Sequence, residues 1–157
     1  MHRPGLTAAG HCLPYLGMII PRRLSWFGLV SVLHVSVFAA DVPRIAPADA
    51  AKLVADGKAV LVDVREPAEW ADTGVAEPAV LLAMSDFDGA QKDWKPFLEQ
   101  NRDKQILVYC RSGRRSGLVA TALAAKGFQA ANVGGFRDWT AAGLPVRKVS
   151  PPAPPAS

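Results

Sequence analysis

The chain has 157 residues, half of them apolar and a fifth charged, which suits one folded domain with some extra sequence and excludes a disordered or collagen-like protein. Its net charge of +4 is unevenly placed: residues 1–40 hold Arg3, Arg22 and Arg23 and no acid, and the rest is nearly neutral. No Lys/Arg stripe interleaves with aromatics, so no nucleic-acid partner is expected.

In chain order, Arg22-Arg23 precedes Leu24–Ala40, a run with no Asp, Glu, Lys or Arg that ends in small residues. A cationic stretch, an apolar run and a small-residue end match a secretory signal, cut after Ala39 or Ala40. Residues 1–40 are therefore expected to export the protein to the periplasm or outside the cell. A retained membrane anchor is the alternative, disfavoured by the diluting Ser25, Ser31, His34 and Ser36. Met18 is an alternative start.

Residues 41–149 read as one domain. Pro47 to Ala55 predicts a helix stopped by Asp56-Gly57. Ala59–Val64 and Gln105–Cys110 are continuous apolar runs without two-residue alternation, as in strands covered on both faces of a parallel sheet. Ala130–Val133 is a third, weaker strand. Helices are predicted over Pro67–Asp72, Trp94–Gln100 and Ser116–Lys126, the last with Leu118, Val119, Ala122 and Leu123 on one face. A short last helix falls within Gly135–Gly143. Asp86-Phe87-Asp88 reads as a solvated loop and Gly134-Gly135 as a turn. Trp70, Phe87, Trp94, Phe97, Phe136 and Trp139 are expected mostly in the core. The alternation predicts an α/β fold, an open and mostly parallel sheet with helices on both faces. The proline-rich residues 150–157 favour an extended tail.

Cys12 lies in the N-terminal segment, which leaves Cys110 as the one thiol of the domain. It has no partner for an internal disulfide. In an oxidising compartment an unpaired cysteine points to a reactive thiol or to intermolecular pairing. With no His after His34, no metal site is expected.

Cys110-Arg111-Ser112-Gly113-Arg114-Arg115-Ser116 places that thiol where a buried strand ends and a helix is about to start. Ligands bind at this end of parallel sheets. Backbone N–H groups of such a loop form a concave nest, and the helix adds its positive end. With Arg111, Arg114 and Arg115 close in sequence, the thiolate is favoured over the thiol. The implied chemistry is attack by a thiolate on an anionic substrate. It requires a reachable sulfur that ionises below an ordinary thiol.

Cys110-Arg-Ser-Gly-Arg-Arg-Ser116, Lys126-Gly-Phe128, Asn132-Val-Gly-Gly-Phe136, Trp139 and Ala142-Gly-Leu-Pro145 closely resemble the rhodanese family, as does Leu61-Val-Asp-Val-Arg65-Glu-Pro-Ala-Glu69-Trp70. The likeness spans residues 45–147. It implies a single-domain sulfurtransferase with a rhodanese-like sheet. Cys110 matches the nucleophile that takes a sulfane sulfur from a small anionic donor such as thiosulfate, and passes it as a persulfide to cyanide or a thiol. The amides of Arg111, Ser112, Gly113, Arg114, Arg115 and Ser116 match the substrate cradle, with Arg111 and Arg115 favoured for substrate or electrostatic roles. No cofactor is implied, and a monomer is the default. Gly74-Val-Ala-Glu-Pro-Ala79 departs from the family's Gly-His-Ile-Pro-Gly-Ala block. Asp63 and Arg65 are expected to support the site, Arg65 by pairing with an acid such as Glu69.

Two other functions compete. A persulfide carrier or binding module would share Cys110 and discharge only to a protein partner. A cysteine-dependent phosphatase would need an Arg where this chain has Ser116.

Overall fold

The computed structural model describes residues 42–150. The expectations for the N-terminal segment, Cys12 and the proline-rich tail lie outside the described residues. The elements are α1 (Pro47–Ala55), β1 (Ala59–Asp63), α2 (Pro67–Thr73), β2 (Val75–Ala76), β3 (Ala79–Leu81), α3 (Met84–Asp88), α4 (Trp94–Gln100), β4 (Gln105–Cys110), α5 (Arg114–Ala125), β5 (Ala130–Gly135), α6 (Phe136–Ala141) and β6 (Val146–Arg147). Four strands form a wholly parallel sheet in the order β3-β1-β4-β5, and β2 pairs with β6 in a small antiparallel ribbon.

The apolar runs of β1 and β4 become central strands because each face meets helices. Val62, Ile106, Val108 and Cys110 point to a core shared with Phe87 of α3, Trp94 and Leu98 of α4, and Val119 and Leu123 of α5. Leu61, Leu107 and Tyr109 point the other way, toward Ala50 of α1 and Phe136 and Trp139 of α6. Helices on both faces are therefore present. Strand parity also decides where the thiol goes: Cys110 takes the same side as Ile106 and Val108.

Several local expectations are corrected. The helix after β4 starts at Arg114 rather than Ser116, because Gly113 adopts a left-handed conformation (φ 91°) and begins it two residues earlier. Its buried residues are then Ser116, Val119, Ala120 and Leu123, the stripe expected of helical periodicity, and Leu118 falls off it at 56 % exposure. Asp86–Asp88 lies in α3 rather than in a solvated loop. Phe87 is buried there, and the Asp86 carboxylate accepts amides of Lys92, Asp93 and Trp94 at the entry to α4. Gly134-Gly135 ends β5 rather than forming a turn. Pairing with β4 shifts there, from Val108–Asn132 to Tyr109–Gly134, so Val133 is the extra residue of a bulge. Within the altered block Val75–Ala76 form β2, whose Ala76 amide donates to the Tyr109 hydroxyl (3.0 Å). Among the described residues no helix is long and apolar enough to cross a membrane.

Candidate active site

The strand end, the loop 111–113 and the first turn of α5 wrap around the Cys110 sulfur. Sγ accepts the Gly113 amide at 3.1 Å and faces the Ser116 hydroxyl at 3.5 Å. Burial alone pushes the thiol up. The Ser116 hydroxyl and the amides of Ser116, Ser112 and Gly113 outweigh that effect and hold it below its ordinary value. The residue is only 1 % exposed, so the sulfur lies on the floor of the cradle, against the reachable sulfur that the sequence reading expected. It differs from an inert core thiol in having several donors aimed at it.

The loop can sit this low because it rests on the end of β5. A Cβ on Gly135 would lie 2.7 Å from the Arg111 carbonyl oxygen, so the two backbones are in direct contact. Asn132 holds the arrangement from below. Its Nδ2 donates to the Gly113 carbonyl (2.9 Å), and its Oδ1 accepts the Ser116 hydroxyl (2.8 Å) and the Gly134 amide (2.9 Å). Sequence reasoning noted Asn132 within a motif and gave it no role. Only the adjacency of β4 and β5 reveals one.

The three loop arginines have different surroundings. Arg115 forms a two-pronged pair with Glu69 of α2 (2.7 and 2.8 Å). The Arg115 contact holds the Glu69 carboxyl below its usual range. Glu69, and to a lesser degree the nearby Cys110 sulfur, raises Arg115. Arg111 and Arg114 are exposed and have no ion-pair partner among the described residues. The amides and Ser116 thus lead the stabilisation of the sulfur, where the sequence reading also gave weight to three guanidinium groups.

Arg65 does not pair with Glu69. It takes Asp63 instead, with Nη2–Oδ2 at 2.6 Å and Nε 3.0 Å from each carboxylate oxygen. Asp63 also accepts the Arg65 amide (2.9 Å). The pair is only two positions apart, so one tight turn after β1 closes it, while Glu69 on α2 is taken by the loop. The Arg65 guanidinium further donates to Thr73 Oγ1 and the Gly74 carbonyl (2.7 Å each) and lies 4.5 Å from the Phe136 ring centroid. Asp63 and Arg65 form a buried tie between β1, the end of α2 and the start of α6.

Beside the loop lies a cavity of about 310 Å³. Glu69, Asp72 and Thr73 of α2 line it with Arg111 of the loop and Phe136 and Arg137 of α6, and Arg65 also contributes. Cys110 does not line it. Among the described residues no group of three or more His, Cys, Asp or Glu is placed to hold a metal ion.

The family profile of the rhodanese-like domain matches residues 46–142. The chain belongs to the rhodanese-like domain family. The rhodanese-like domain is 34 % identical over 91 residues to a Schizosaccharomyces pombe protein provisionally named a mitochondrial thiosulfate sulfurtransferase, covering 52 % of this chain and 60 % of that one. It is 36 % identical over 89 residues to a Bacillus subtilis protein provisionally named sulfurtransferase YtwF, covering 56 % of this chain and 80 % of that one. Among solved structures, a Rhodopseudomonas palustris protein of unknown function, described as a candidate tyrosine phosphatase, superposes with a TM-score of 0.57 at 28 % identity. That match covers 68 % of this chain and 85 % of the other. The chain therefore shares the rhodanese-like fold, and its sheet is the one expected from sequence.

Proposed function

We propose that this protein carries a sulfane sulfur on Cys110 and transfers it from an anionic donor such as thiosulfate to a thiophilic acceptor, cyanide or a thiol. The observation that carries the reading is the convergence of the Gly113 amide and the Ser116 hydroxyl on Sγ at the start of α5. These dipoles favour the thiolate and suit a second sulfur anion in the same nest.

The Cys110 thiolate attacks the outer sulfur of thiosulfate. A new S–S bond forms, the donor's S–S bond breaks, and sulfite leaves with the bonding pair. Cyanide then attacks the outer sulfur of the persulfide, thiocyanate leaves, and the electron pair returns to Cys110. Charge and atoms balance without an external oxidant or cofactor. Arg111, Ser112, Gly113, Arg114, Arg115 and Ser116 serve as the cradle, with Arg115 held by Glu69. Asp63 and Arg65 act as support. Because the sulfur is buried, the loop crest must yield to the donor.

Residues 1–40 support export, so the test uses protein isolated after secretion. Its intact mass reads both removal of the N-terminal segment and uptake of one sulfur after thiosulfate treatment. Cyanide should remove that sulfur as thiocyanate, and Cys110→Ser should gain none. A persulfide that resists cyanide and discharges only to a protein would favour a carrier. Phosphate-ester hydrolysis without sulfur uptake would favour a phosphatase, although Ser116, where those enzymes need Arg, is fully buried and bonded to Asn132.

A further inference from the structure

The cavity beside the loop has room for more than an inorganic donor. About 310 Å³ equals roughly ten times the ~30 Å³ that one water occupies in the liquid, the room of a small organic molecule. Its charges fall into two kinds. Arg65 and Glu69 are already engaged, by Asp63 and Arg115 respectively. Asp72, Arg111 and Arg137 are exposed and have no ion-pair partner among the described residues. The cavity therefore offers two uncommitted guanidinium groups from the loop and α6, one uncommitted carboxylate from α2, and the Phe136 side chain. Arg111 is also the residue next to the nucleophile, so a ligand held there lies against the loop that carries the sulfur.

We infer that this cavity selects the sulfur acceptor, a zwitterionic thiol of the amino-acid type, with Arg137 and Arg111 taking its carboxylate and Asp72 its ammonium group. This rests on the sulfurtransferase reading above. Arg137 and Asp72 are then specificity-determining residues. The acceptor thiolate attacks the outer sulfur of the Cys110 persulfide, the Cys110 S–S bond breaks, and its electron pair returns to Cys110. Any proton on the outer sulfur departs with the acceptor's new persulfide.

The test loads the full chain with thiosulfate and discharges it with four acceptors: cysteine (both charges), 3-mercaptopropionate (carboxylate only), cysteamine (ammonium only) and cyanide as reference. Each thiol's KM is read as a ratio to that of cyanide. Loss of a charge-assisted contact corresponds to about tenfold in affinity. Arg137→Ala should raise the ratio about tenfold for cysteine and 3-mercaptopropionate and leave that of cysteamine, with Arg137→Lys restoring part of the loss. Asp72→Asn should raise it for cysteine and cysteamine. Equal ratios for all thiols in wild type and variants would overturn the assignment. A second readout needs no turnover: inert S-methylcysteine should shift the amide resonances of Arg111 and Arg137, and no shift at saturating concentration would also sink it. If wild type takes up no sulfur at all, the sulfurtransferase reading fails first, and the resonance experiment still decides whether the cavity binds a zwitterion.

Discussion

The Ser116 hydroxyl has a single proton and three acceptors within reach, Asn132 Oδ1 at 2.8 Å, and Cys110 Sγ and the Gly134 carbonyl at 3.5 Å each. Toward a neutral thiol the shorter contact wins. Toward a thiolate the charge draws the proton to sulfur, so the hydroxyl stabilises the ionised form selectively. Wild-type sulfur loading should therefore rise through a midpoint below the ordinary thiol value of about 8.5 and then level off. Ser116→Ala should move that midpoint up, measured by the pH dependence of alkylation at Cys110. The sign for stability follows from the depressed folded value: the contribution is complete above the ordinary thiol value and is lost as pH falls through the lower one. Comparing urea unfolding of wild type and Cys110→Ala across that window checks it.

At the level of elements, α5 begins with Arg114 and Arg115 and no acid in its first turn, the wrong sign for a helix N-terminus. Glu69 compensates by reaching across from α2 to Arg115, and ionisation of Cys110 adds negative charge under the same turn. The Glu69–Arg115 pair is about 30 % exposed on each side chain, so screening is incomplete and the pair fixes the loop against α2. Glu69→Gln should destabilise the fold by about 1.5 kcal/mol at neutral pH. Because the Glu69 carboxyl is held below its usual range, its contribution is complete above the ordinary value near 4.3 and lost as pH falls through the lower folded one. The gap between wild type and variant in urea unfolding should shrink over that acid window, and a gap independent of pH would refute the pairing role.

For the molecule as a whole, two cores on opposite faces of one four-stranded sheet set the stability. Trp94 is fully buried, meets Phe87 edge-on at 4.9 Å, and donates its indole N–H to the Ala83 carbonyl (3.0 Å). Trp94→Ala should cost about 3–5 kcal/mol in global unfolding through the cavity it leaves. Leu118→Ala, on the exposed side of α5, should stay within about 0.5 kcal/mol. Calorimetric unfolding of the two variants distinguishes this core from the one the sequence pattern suggested, which included Leu118.

Much of this was legible in the chain itself. The uninterrupted apolar runs of β1 and β4 declared a parallel sheet, because a strand covered on both faces needs no polar side. The Cys110–Ser116 segment declared its chemistry, because a loop between a buried strand and a helix N-terminus presents its amides locally. Short elements such as β2, β3, α3 and β6 left no periodic signal. Pairings across the fold were equally hidden: Arg115 with Glu69 and Asn132 beneath Gly113 join residues far apart in sequence. Contacts of that kind depend on which strands become neighbours and how far a bulge shifts their register, and local pattern carries no record of either. The depth of Cys110 was decided in the same way, by strand parity and by the glycine-backed seat of the loop on β5.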